Sequence, residues 1–173
     1  TEEDLKIQAQ QILGQRFLKL VAPDGHTLAD PEKTLEATGL EDGDHVTAVL
    51  LQPKVAATCR AFVLWCNGGD GVIAWGHPDY GGDSSQVRNQ LQSVQQIQAT
   101  HNAFAAVLAD GSVFTWGQPL FGGDSSRVQD QLRSVQQIQS TGLAFAAVLA
   151  DGSVVTWGNP KFGGDSSEAD LGL

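Results

Sequence analysis

Three Asp-Ser-Ser triplets, beginning at Asp83, Asp124 and Asp165, are the part of this chain whose residue types and spacing could do chemistry. A serine beside a carboxylate can become a nucleophile only with a base in hydrogen-bond reach, and no histidine and acid recur at matching places. His26, His45, His77 and His101 stand apart from one another, each beside turn residues, and read as solvated loop side chains. Asp83, Asp124 and Asp165 could each offer a carboxylate to a cation such as Ca²⁺. A hard cation wants about six oxygens, and one carboxylate per loop is too few. The Gly-Gly before each triplet could let the loop cradle an anion, a role that the adjacent aspartate opposes. Asp83 with Ser84, Asp124 with Ser125 and Asp165 with Ser166 are therefore expected as loop contacts for a partner. Ser125 or Ser126 would cap a helical turn or two over "DSSRVQDQL", where Val128 and Leu132 lie four apart. Cys59 and Cys66 are the only cysteines and read as reduced structural residues, with a local disulfide or redox pair as the alternative. No catalytic residue, metal or cofactor is assigned, and the chain reads as non-enzymatic.

The triplets recur because the chain repeats. Residues 91–126 align without gaps on 132–167 with 29 identities in 36 positions, and Trp75, Trp116 and Trp157 are spaced by 41. A worn first copy carries "TCRAFVLW" and "AWGHPDYGGDSS" at the equivalent places. Within a unit, a strand over 94–98 leads to the apolar run "AFAAVL". Asp110-Gly111 and Asp151-Gly152 then give tight hairpin turns into "SVFTW" and "SVVTW". One such unit cannot bury its apolar face alone, so copies must stack, with Trp75, Trp116 and Trp157 as repeated packing anchors.

The motif Asp-Gly-x-Val-x-x-Trp-Gly at 110–117 and 151–158 resembles the regulator-of-chromosome-condensation (RCC1) repeat. The likeness covers 94–126 and 135–167 well and 55–85 loosely. Where that family usually has Gly and His, this chain has Thr100 and Ala103, then Thr141 and Ala144. The resemblance implies propeller blades, about 53–91, 92–132 and 133–173, short of that family's seven. The expected fold is mainly β, as a piece of a longer array or an open arc, with a closed threefold β-trefoil-like arrangement as the alternative.

Residues 1–52 have another texture, free of Trp and rich in charge. "TEEDLKIQAQQILG" reads as a helix capped by Thr1, with Leu5, Ala9 and Ile12 on one face and Gly14 as its stop. "RFLKLVAP", an Asp24-Gly25 turn and "DHVTAVLL" follow as strand, turn and strand. This order resembles ubiquitin-like domains from their main helix onward and implies a partial α+β domain, lacking that fold's opening hairpin. The chain runs on through "QPKVAAT" into the first repeat with no flexible linker, so a rigid junction is expected. With no Met in 173 residues, Thr1 reads as a processed end or the edge of a larger protein.

Net charge is −10 at pH 7, and both segments are acidic, which argues against a nucleic-acid partner. No apolar run approaches the ~20 residues of a membrane span, so direct membrane insertion is not expected. The chain reads as soluble, cytoplasmic or imported into an organelle after loss of a targeting sequence. The expected function is a non-catalytic scaffold that binds protein partners. Alternatives are an accessory subunit of a large assembly, including an organellar membrane complex, a regulatory segment of a ubiquitin ligase or GTPase regulator, and a repeat lectin.

Overall fold

The front of the chain is set by a capping box. The Thr1 side chain accepts the Asp4 N–H while the Asp4 carboxylate accepts from Thr1, and α1 (Glu2–Leu13) follows. Gly14 ends it in the left-handed conformation at φ 62°. In the computed structural model, which describes residues 1–14, 18–30, 32–67 and 71–167, the chain divides into two compact units, Thr1–Gln52 and Pro53–Leu173.

In the first unit, β1 (Leu18–Val21) lies between β2 (Thr27–Leu28) and β3 (Thr47–Leu50), antiparallel to both. A single 3₁₀ turn, Glu36–Thr38, precedes β3. Leu18, Leu20, Ala22 and Leu28 form the core, with Leu5 and Ala9 of α1 packed on it. The buried Glu2 carboxylate accepts the Asp30 N–H at 2.8 Å. Ile12, expected on the packed face, is 83% exposed, because the small sheet is covered by the first two turns of α1.

The second unit holds three antiparallel three-stranded sheets, each a meander. They are β4 (Pro53–Ala57), β5 (Ala61–Cys66) and β6 (Val72–Gly76); β7 (Val94–Ala99), β8 (Ala103–Leu108) and β9 (Val113–Gly117); and β10 (Val135–Ser140), β11 (Ala144–Leu149) and β12 (Val154–Gly158). The described chain is thus mainly β, built of four small sheets.

The two cores of the repeat unit lie between sheets. One joins Val63, Trp65 and Val72 of the first sheet to Ile97, Phe104 and Trp116 of the second. The other joins Ala105, Val107 and Val113 of the second to Ile138, Phe145 and Trp157 of the third. Alternation along β8 sends Phe104, Ala106 and Leu108 one way and Ala103, Ala105 and Val107 the other, so all six are buried. That explains why "AFAAVL" shows no polar alternation. Val94 and Ile97 are three apart yet share a core, because a register shift between Val94 and Gln96 inserts one extra residue.

The structure departs from two expectations. The segment 125–132 forms successive hydrogen-bonded turns, with Val128 N–H on the Ser125 carbonyl and Gln131 N–H on the Val128 carbonyl, rather than a helix. The helical geometry falls one step earlier, in one-turn 3₁₀ helices at Pro78–Tyr80, Pro119–Phe121 and Pro160–Phe162. Nor, among the described residues, do the three sheets close with threefold symmetry: Phe62, Ile73 and Trp75 of the first sheet and Val148 of the third are exposed. The "CNGGDG" turn falls partly on residues 68–70 and "SSEADLGL" almost wholly on 168–173, outside the described residues.

Candidate interaction surface

Each inter-sheet seam is built by the same side chains. Trp116 stacks on Phe104 with ring centroids 5.3 Å apart, and its indole N–H donates to the Gly81 carbonyl at 3.0 Å. Trp157 repeats this on Phe145 at 5.2 Å and donates to the Gly122 carbonyl at 3.0 Å. Every seam therefore has a direction, with the Trp-Phe pair of one sheet gripping the Gly-Gly loop of the sheet before it. Trp75 stacks on Phe62 at 5.6 Å in the same way, but it is 44% exposed against 5% for Trp116 and 4% for Trp157. Trp75 therefore stacks on Phe62 without the burial that Trp116 and Trp157 gain at their seams.

The Asp-Gly turns add a second set of contacts. Gly111 has φ +78°, and a Cβ there would come within 2.7 Å of the Ser134 backbone. Its carbonyl accepts the Val135 N–H at 2.9 Å. Asp110 accepts the Ser112 hydroxyl at 2.6 Å and N–H at 2.9 Å, and Asp151 does the same with Ser153. The serine hydroxyl is the main reason that both carboxyls sit below the usual carboxylate range. Gly152, the last copy, meets nothing within 4 Å.

In the Gly-Gly-Asp-Ser-Ser loops the aspartate, not a serine, is the cap. Asp83, Asp124 and Asp165 each accept the N–H two residues on, from Ser85, Ser126 and Ser167, at 2.9 Å. Those backbone N–H groups hold all three carboxyls below their ordinary range. Ser84 and Ser125 are buried. The Ser125 hydroxyl lies 2.8 Å from Gln129 Oε1 and 3.0 Å from the Thr115 hydroxyl, and neither neighbour is a base that could take its proton. Ser166 lies 3.2 Å from the Thr156 hydroxyl. Among the described residues no three His, Cys, Asp or Glu side chains converge as a metal site. Cys59 is exposed and Cys66 buried, both free, and burial pushes the Cys66 thiol up.

These loops wall two equivalent clefts. The first, about 470 Å³, is lined by Pro78, Asp79, Asp83, Trp116 and Asp124. The second, about 430 Å³, is lined by Pro119, Asp124, Arg127, Trp157 and Asp165. A third opening, about 360 Å³, follows the first strands, where Cys59 N–H donates to the His101 carbonyl at 2.8 Å and His101 N–H to the Gly142 carbonyl at 2.9 Å.

Two groups of working residues went unread in the sequence. Thr58, Thr100 and Thr141 each donate a hydroxyl to the carbonyl closing the 3₁₀ turn of their own repeat, at Tyr80, Phe121 and Phe162, over 2.9 to 3.1 Å. Their presence in all three copies was the available signal. Gln96 lies across the second seam, donating to the Ile138 carbonyl at 2.9 Å and accepting its N–H at 3.2 Å.

No family model and no curated protein sequence matches the chain. Among solved structures, it is similar to yeast RCC1 (Prp20), crystallised with Kap60, at 20% identity and a TM-score of 0.45, over 61% of this chain and 29% of that one. Human WBSCR16 is similar at 19% identity and 0.47, over 66% and 35%. The CRINKLY WD40 ectodomain of the Arabidopsis thaliana receptor kinase ACR4 is similar at 18% and 0.42, over 61% and 36%. The chain spans about a third of the length of these proteins. Among the described residues no helix is long and apolar enough to cross a membrane.

Proposed function

We propose that residues 53–173 are a non-catalytic protein-binding module of RCC1-like repeats, and that the two inter-sheet clefts receive side chains of the partner. The observation carrying this reading is that one cleft is made twice, walled by the aspartates of successive loops, Asp83 facing the first with Asp124, and Asp124 the second with Asp165. Carboxylates whose charged form is already held by backbone N–H groups suit a cationic side chain, and a net charge of −10 steers a basic partner toward them. We read residues 1–52 as a partial ubiquitin-like domain, a reading supported by its order of helix, strand, short strand, 3₁₀ turn and strand.

Affinity capture from a lysate, with identification of the retained proteins by mass spectrometry, tests the cleft. The wild-type chain is expected to retain a partner with an exposed basic segment, released by salt and lost with Asp124→Lys, which alters both clefts at once. Equal retention by wild type and variant would sink the proposal.

A further inference from the structure

The two seams inside the repeat unit can be compared residue by residue. Thr58, Thr100 and Thr141 fix the equivalence, since each closes the 3₁₀ turn of its own repeat. Both seams share two bonds. The indole N–H of Trp116 donates to the Gly81 carbonyl across the first, and that of Trp157 to the Gly122 carbonyl across the second. A backbone bond also joins the turns that follow the first strands, from Cys59 N–H to the His101 carbonyl in the first seam and from His101 N–H to the Gly142 carbonyl in the second.

The second seam carries three further side-chain bonds. Gln96, four residues before its threonine, holds Ile138 by both N–H and carbonyl. Ser140, one residue before its threonine, donates its hydroxyl to the Ala99 carbonyl at 2.7 Å. In the first seam Lys54 stands in place of Gln96; an ammonium has no acceptor atom and cannot take the N–H of Ile97 as Gln96 takes that of Ile138. Ala99 stands in place of Ser140, and its methyl group offers the Ala57 carbonyl nothing. The first seam also encloses an unpaired donor. Trp65 occupies the place that Val107 has in the second, and its buried indole N–H has no partner among the described residues. The wide ring keeps the closed seam apolar, but its N–H is hydrated only when the seam parts, which favours the open form.

We infer that the seam between the first and second sheets is the joint of the repeat unit, opening far more often than the seam between the second and third. In a stack of repeats each interface contributes its own free energy, so the interface with fewer bonds parts first while the sheets beside it stay folded. Pro78 and Asp83 wall the first cleft from one side of this joint, and Trp116 and Asp124 from the other. On the reading of the clefts as binding sites, the first is therefore adjustable and the second fixed.

Hydrogen exchange of the full chain, followed by NMR, tests this with matched reporters. The Trp116 and Trp157 indole N–H groups have the same chemistry and the same kind of acceptor, one across each seam. Trp116 is expected to exchange at least about tenfold faster than Trp157, and the Cys59 amide at least about tenfold faster than that of His101 after correction for intrinsic rates. Lys54→Gln with Ala99→Ser writes the missing bonds into the first seam and should slow Trp116 about tenfold while leaving Trp157 unchanged. Gln96→Lys with Ser140→Ala copies the first seam into the second and should speed Trp157 by a similar factor. Equal protection at the two seams of wild type would overturn the inference, as would faster exchange at Trp157. None of these readouts needs a partner, so a cleft that binds nothing would leave the joint standing, and a failed joint would leave the cleft standing.

Discussion

At the scale of single residues, burial separates side chains with the same local sequence. Trp75, Trp116 and Trp157 each lie one residue before the glycine that ends the third strand of their sheet, and each stacks on a phenylalanine. Only the last two donate to a glycine carbonyl of the sheet before them. Trp116→Phe removes that buried donor, strands the Gly81 carbonyl and leaves a small void, so it should cost about 2–3 kcal/mol. Trp75→Phe loses no such bond and should stay within about 0.5 kcal/mol. Urea unfolding of both reads the difference. Equal losses would mean that the indole N–H contributes nothing to the seam.

At the scale of elements, the strands and hairpins of a repeat were legible because their signals are local: a short apolar run, an Asp-Gly turn, then β-branched and aromatic residues. What was not legible depends on neighbours. "AFAAVL" is the same in β8 and β11, and nothing within it tells which copy is covered on both faces. The helix expected over 125–132 failed because Ser125 turns its hydroxyl to Thr115 and Gln129 while Asp124 takes the cap. The same logic gives a test of the seam between elements. Gly122 and Gly163 have similar backbone angles, φ +89° and +100°, but a Cβ at Gly122 would lie 2.5 Å from the Phe145 ring and one at Gly163 would meet nothing. Gly163→Ala should lose about 1 kcal/mol, the conformational term alone. Gly122→Ala adds overpacking against a buried ring and should lose about 2–4 kcal/mol in all. Thermal melts decide it, and matching losses would show that the loop moves aside freely.

At the scale of the whole molecule, the acidic surface is tied to structure at five aspartates, Asp83, Asp110, Asp124, Asp151 and Asp165, each below the usual carboxylate range through bonds from the serine two residues on. The folded values lie below the unfolded ones, so their contribution is present above the unfolded value of about 4 and fades as pH falls through the folded values. The melting temperature should hold between about pH 7 and 5 and drop below about pH 4. A double Asp110→Asn, Asp151→Asn variant, which keeps the turn acceptors without the titration, should show a shallower acid fall; an unchanged profile would place the acid sensitivity elsewhere. The one-way seam also bears on heredity. Copies two and three share 29 of 36 residues, and each unit carries a grip for the unit before it and a loop for the unit after. Misaligned recombination between such near-identical coding stretches would add or delete one whole unit, and the product would need no contact that the parent lacks. In such a gene the number of repeats can drift between lineages while the joint between them stays the same.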